Sequence, residues 1–239
     1  PASVSPMVAL RGEKTSLLRN VGERLRSTVQ DFKHVVSRGT DTELWSATLF
    51  TELAAAARQT DSVTGALRGA LTTLCERLGA DSATLLESSR DRHYHSRVAV
   101  GALESTEFDV SADGFLISRL AAFHGSLTFT DEELRPLIEW TAANRPQRVE
   151  EVRALATARV RVAVALRTRD DIVGVLLLGP RGADRLHYDQ SQQRALLTCA
   201  DQFGLMLENA RPMDRVLEQE TLRRDLALAA EVQRRLLPS

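Results

Sequence analysis

Histidine, cysteine and carboxylate are the side chains here with chemistry to offer, and their spacing limits it. His93-Tyr94-His95 places two imidazoles at i and i+2. On a strand both would point to one face, which suits a metal, but a zinc site takes about four ligands. No cysteine or carboxylate cluster accompanies them, and the alternative is a solvated loop. His124 falls at a predicted helix end, with a haem ligand and a structural side chain as its two readings. His187 falls in a loop. Cys75 and Cys199 sit on helical patterns that predict buried free thiols rather than a disulfide. There is no Gly-rich phosphate loop, nucleophile elbow or HExxH. No catalytic residue, no metal and no cofactor is therefore expected.

The elements that must position these residues are organised around Arg159–Pro180. Val160, Val162, Val164 and Leu166 alternate with Arg159, Arg161, Ala163 and Ala165, the period of a strand with one buried face. Arg169-Asp170-Asp171 makes a polar turn, and Ile172–Leu178 is a nearly continuous apolar run that suits a central strand. Gly179-Pro180 stops it, since proline has no N–H for the ladder. The spacing predicts a hairpin in the middle of an antiparallel sheet. After a polar loop, Asp189 is the predicted N-cap of a helix carrying Ala195, Leu196, Ala200, Phe203 and Leu207.

Upstream, Leu18, Val21, Leu25, Thr28, Phe32 and Val35 recur at three and four, a heptad seam with one polar member. Self-association would bury it, and so would packing on the chain's own domain. A helix is predicted over Asp41–Gln59 behind a Thr40/Glu43 capping box. Another starts at Thr60 or Asp61, carries Val63, Leu67, Leu71, Leu74 and Leu78, and ends at Gly79. Ala83–Leu86 and Arg97–Val100 read as strands joined by a polar Ser88–His95 loop. Asp113–Leu120 reads as a helix and Leu127–Phe129 as a short strand. Thr130–Glu133 caps a helix to about Ala143, and Val152–Thr157 forms a short helix. Helices are expected on one side of the sheet, with a mobile 105–157 segment covering the other.

Gly174 to Leu178, Tyr188-Asp189 and Glu208-Asn209-Ala210-Arg211 resemble the C-terminal third of a GAF domain, in which a "G-V-L-x-L" strand, an aromatic-Asp helix start and an "E-N-A-R" helix end follow at this spacing. The resemblance covers roughly residues 62–211. It implies an α/β (α+β) fold, a GAF-like central antiparallel sheet with flanking helices, plus N-terminal and C-terminal helical or coiled-coil segments. It also implies a ligand pocket between the sheet and the 105–157 helices, lined by Phe115, Leu116, Arg119, Phe123, His124, Phe129, Trp140 and Val164. The pocket would take an unidentified small molecule; the alternative is that these residues close into a solid core. The cyclic-nucleotide element of the family, of the Asn-Lys-x-x-Asp type, is absent. Bilin attachment needs a reachable thiol, which neither core cysteine offers.

Past Pro212 a helical pattern resumes, with a register skip between Leu217 and Leu222. The final residues, DLALAAEVQRRLLPS, resemble the helix leading into metal-dependent serine phosphatases of the PPM superfamily. Ala229, Val232, Gln233, Leu236, Leu237 and Pro238 match, while Asp225 and Leu226 vary the start. Asp113-Gly114 lacks the partner aspartates of a phosphatase metal site, so the catalytic domain would follow Ser239. The chain then divides into N-terminal helices (1–61), a GAF-like sensor (62–211) and a signalling linker (212–239). The implied function is a bacterial signal-transduction sensor controlling an appended serine/threonine phosphatase. The alternatives are a regulator of a kinase or transcription factor, or a freestanding methionine sulfoxide reductase, whose chemistry needs pocket thiolates. A homodimer is expected through Leu18, Val21, Leu25, Phe32 and Val35, and through Leu222, Leu226, Ala229 and Leu236. A net charge of −1 offers nucleic acid or an anionic membrane no broad attraction. No apolar run approaches the roughly 20 residues that span a bilayer. A reducing cytoplasm is the expected location.

Overall fold

The computed structural model describes residues 48–49, 51–52, 55, 62–168, 171–182, 188–209 and 211. Both expected dimer stripes, Leu18 to Val35 and Leu222 to Leu236, lie outside the described residues, as does His187.

Helix α1 (Val63–Leu78) opens on Ser62, whose side chain accepts the Gly65 N–H at 3.0 Å. The cap is thus one or two residues later than Thr60 or Asp61, because Ser62 is the extended residue that still offers a side-chain oxygen to the first turn. Gly79 closes α1 in the left-handed region, at φ 67, where a side chain would be strained. Strands β1 (Ser82–Ser88) and β2 (His93–Gly101) pair antiparallel. Their connection is only residues 89–92, so His93 and His95 stand on a strand and not in a loop. Strand β3 (Asp109–Ser111) pairs with β2. Helix α2 (Phe115–Ala122) begins after Gly114, two residues later than Asp113. Strand β4 (Ser126–Thr128) leads into helix α3 (Asp131–Asn144), which carries the expected capping box between Thr130 and Glu133. Helix α4 (Val149–Thr157) precedes β5 (Val162–Thr168) and β6 (Asp171–Leu178). Residues 190–209 form the last described helix, α5.

The sheet order is β3-β2-β1-β6-β5-β4, antiparallel throughout, and the β5–β6 hairpin joins its two halves. Each face carries its own apolar layer. On one, α1 and α5 pack with Leu67, Leu71, Leu74, Leu196, Phe203 and Leu207 over Leu85, Val98, Val164, Leu176 and Leu178. On the other, α2, α3 and α4 bring Leu116, Leu120, Leu134, Val152 and Leu155 over Leu86, Ala163, Ala165, Val175 and Leu177. The 105–157 segment thus supplies ordered helices to its side of the sheet.

Two covered faces explain why 172–178 reads as an unbroken apolar run. They also correct the one-faced reading of 159–166. Ala163 and Ala165 are as buried as the valines, and Arg161 is 7% exposed. Only Arg159 turns outward, at φ 54 in the turn before β5.

Candidate functional site

The sequence motifs resolve into attachments of α5 to the sheet. Tyr188 is buried and donates its hydroxyl to Gly179 O at 2.9 Å, which fixes the entry to the helix. Burial raises the Tyr188 pKa well above the usual phenol value. Asp189 Oδ1 accepts from Gln192 N at 2.9 Å and Ser191 Oγ at 2.6 Å, while Gln192 Oε1 accepts from Asp189 N at 3.0 Å. The Ser191 hydroxyl and the Gln192 amide hold the Asp189 carboxyl below its ordinary pKa. Buried Arg181 joins this helix start to the end of α1. Its Nε donates to Leu78 O at 2.7 Å and its Nη1 to Gln192 Oε1 at 2.8 Å. At the far end, Arg211 Nη2 reaches Ser88 Oγ at 2.5 Å and Ser88 O at 3.3 Å. Gly174 is a close approach of β6 to β1 and to α5. A Cβ there would collide with Leu86 O on β1 and lie 2.8 Å from Leu207 Cδ1.

The eight residues assigned to a pocket do not share one. Leu116 and Phe129 lie in the layer under α2–α4, with Phe115 packed against it. Val164 points to the opposite face, against α1 and α5. Phe123 and Trp140 are 54% and 55% exposed, and His124 is also on the surface. Arg119 is exposed, with its guanidinium 5.4 Å from the centroid of the Phe115 ring. Where α2 meets the sheet, the carboxylate of Glu151 fills the space instead. Glu151 accepts from Phe115 N and Leu116 N, each at 2.8 Å, through its two oxygens. Burial raises its pKa despite these two donors and the nearby Arg148.

A cavity of about 250 Å³ lies elsewhere, at the edge of the sheet. It is lined by Thr128, Phe129, Thr130, Glu133, Arg161, Val162, Tyr188 and Gln193. The exit of β4, the first turn of α3, the start of β5 and the first turn of α5 converge there. Of the eight expected residues, only Phe129 takes part. Arg161, which dominates its chemistry, was expected to face water.

The histidine pair stands beside two carboxylates. His93 Nδ1 is 2.5 Å from Asp109 Oδ1, and the two imidazole rings stack with centroids 6.0 Å apart. The Asp109 hydrogen bond raises the His93 pKa. Among the described residues, no group of three or more His, Cys, Asp or Glu is arranged to hold a metal ion. Cys75 and Cys199 are buried free thiols, and burial pushes both up to about 12. That suppresses the thiolate which sulfoxide reduction by cysteine requires. Among the described residues, no helix is long and apolar enough to cross a membrane.

No protein-family model and no curated protein matches the chain. Solved structures do. The GAF domain of a phosphoenolpyruvate-protein phosphotransferase from Coxiella burnetii is similar at 14% identity and a TM-score of 0.52, over 74% of this chain and 99% of that one. The corresponding domain from Acinetobacter gives 10% identity and a TM-score of 0.50, over 73% and 97%. A free methionine-R-sulfoxide reductase from Neisseria meningitidis, solved with its substrate, gives 15% and 0.50, over 73% and 95%. At such identities the likeness establishes the fold, an antiparallel GAF-like sheet between helices.

Proposed function

We infer that this chain is a regulatory sensor of a bacterial signal-transduction protein. Its output is an appended metal-dependent serine/threonine phosphatase, reached through a dimeric helical linker. The observation that carries this reading is the fixing of α5 at both ends, by Arg181, Tyr188 and Asp189 at its start and by Arg211 at its end. A helix so held moves with the sheet, and residues 212–239 follow it in the sequence. The phosphatase-type pattern from Ala229 to Pro238 supports this output over a kinase or a transcription factor, which would share the same sensor fold. Two copies paired through the heptad seam and the linker would bury both apolar stripes, because a two-fold interface covers the same patch on each chain. Rotation or sliding of α5 would then change how the appended domains pair.

The test is hydrolysis of an aryl phosphate by the parent protein extending past Ser239, with and without Mn²⁺. Metal-dependent turnover by the parent, none by 1–239, and altered turnover in the parent carrying Arg211→Ala are the expected results. A parent with no phosphatase activity overturns the output; turnover by 1–239 itself overturns the placement of the active site.

A further inference from the structure

The edge cavity holds an unfinished hydrogen-bond arrangement. Arg161 Nη2 donates to Asp131 Oδ2 at 2.7 Å, but Nη1 is buried and has no partner among the described residues. A guanidinium carries five donors and cannot shed its charge, so a buried arm without an acceptor is costly. Arg161 also lines a cavity larger than one solvent molecule needs: water occupies about 30 Å³ in the liquid, against about 250 Å³ here. The lining is divided by chemistry. Arg161 offers a cationic fork and Glu133 a carboxylate, while Phe129 and Val162 offer apolar surface. Glu133 belongs to the capping box of α3, and Asp131 beside it already draws on Arg161. A dianion such as phosphate would reach the guanidinium only in the field of these two acidic groups.

We propose that this cavity binds a small amino-acid-type zwitterion, its carboxylate on the Arg161 guanidinium and its ammonium towards Glu133. The carbon part packs on Phe129 and Val162. Charge-assisted hydrogen bonds from arginine to carboxylate are among the stronger ones available. The site lies at the edge of the sheet and shares only Phe129 with the pocket residues that the family resemblance implies. It also touches Gln193 in the first turn of α5, whose Nε2 donates to Tyr188 O at 2.8 Å and whose Oε1 accepts from Ser126 Oγ at 3.1 Å. Occupancy therefore bears on the start of the helix that leaves the domain. The ligand class is independent of whether that helix drives a phosphatase.

The experiment titrates the 239-residue chain with valine, isobutyrate, isobutylamine and inorganic phosphate at matched ionic strength, by calorimetry and amide NMR. Valine is expected to give saturable shifts at Phe129, Thr130, Val162 and Gln193 by about 10 mM. Either single-charge analogue, and phosphate, is expected to bind about tenfold more weakly or worse. Arg161→Lys should weaken valine about tenfold. Glu133→Gln keeps the capping acceptor, so it folds, and it should bring isobutyrate up to valine. Asp131→Asn changes a residue whose side chain is 71% exposed, and by freeing Nη2 it should tighten carboxylate binding. Equal binding of isobutylamine, tighter binding of phosphate, no saturable shift at these amides, or a Glu133→Gln protein that still discriminates would each overturn the proposal.

Discussion

Gly174→Ala tests the close approach of α5 to the sheet. The added methyl would collide with Leu86 O, and would lie 2.8 Å from Leu207 Cδ1 and 3.1 Å from Leu166 Cδ1. Leu86 O cannot yield, because β1 and β6 are registered through Leu86–Val175 and Glu87–Gly174. Leu207 on α5, which is fully buried, can relieve only its own contact, so the collision with Leu86 O must strain the backbone. Overpacking of a tight core costs about 1–3 kcal/mol. Replacing glycine where alanine's backbone is allowed returns about 0.4–1 kcal/mol through the unfolded chain. The net loss is up to about 2.6 kcal/mol, towards the upper end because one collision is with backbone, at some 2–4 °C of melting temperature per kcal/mol for a domain of this size. Urea unfolding at constant m-value measures it. Gly182→Ala is the control, since a Cβ there meets nothing within 4 Å. A Gly174→Ala protein as stable as the control would refute the packing argument. So would a loss not reduced in a Leu207→Ala background, because the clash runs partly through that side chain.

Three further outcomes follow from the titrating groups. Glu151 has a folded pKa above its ordinary value of 4.5, so the folded state holds the proton more tightly. Its contribution to stability is greatest below that value and falls as pH rises through the folded pKa; wild type minus Glu151→Gln, measured by urea unfolding across this window, should decline, and a rise would reverse the burial argument. His93 should titrate above the ordinary 6.5 by NMR, its contribution present below that value and lost as pH rises through the folded pKa, and Asp109→Asn should bring it back; no change in the variant would remove Asp109 as the cause. Cys75 and Cys199, with thiols near 12, should hold about one thiolate in ten thousand at pH 8, so Ellman's reagent should label two equivalents only after unfolding, and fast labelling of the native chain would contradict their burial.

What the sequence displays well is what local physics controls. The β5–β6 hairpin was legible because Gly179-Pro180 and the apolar run at 172–178 act within a few residues. The α3 capping box and the Gly79 cap were legible for the same reason. His93 and His95 were read towards a loop because Arg90, Asp91 and Arg92 look like a solvated turn; pairing with β3, sixteen residues on, extends the strand through them. The candidate site was harder. Phe123 and Trp140 are aromatic and so read as lining, yet both stand more than half exposed, with no described element packed over them. Arg161 read as solvated because arginine usually is. Its burial depends on α3 returning to the edge of the sheet, a contact thirty residues distant that no spacing rule encodes.

The central claim, that two copies signal through paired terminal helices, is tested most directly by light scattering coupled to size exclusion. One chain has a mass of 26.4 kDa. A dimer at tens of micromolar has twice that mass, which is the expected result. A shift to the single mass is expected in a Leu25→Asp, Leu226→Asp double variant whose far-ultraviolet circular dichroism is largely retained. A monomeric parent at that concentration, or a double variant that remains fully dimeric, would contradict the claim.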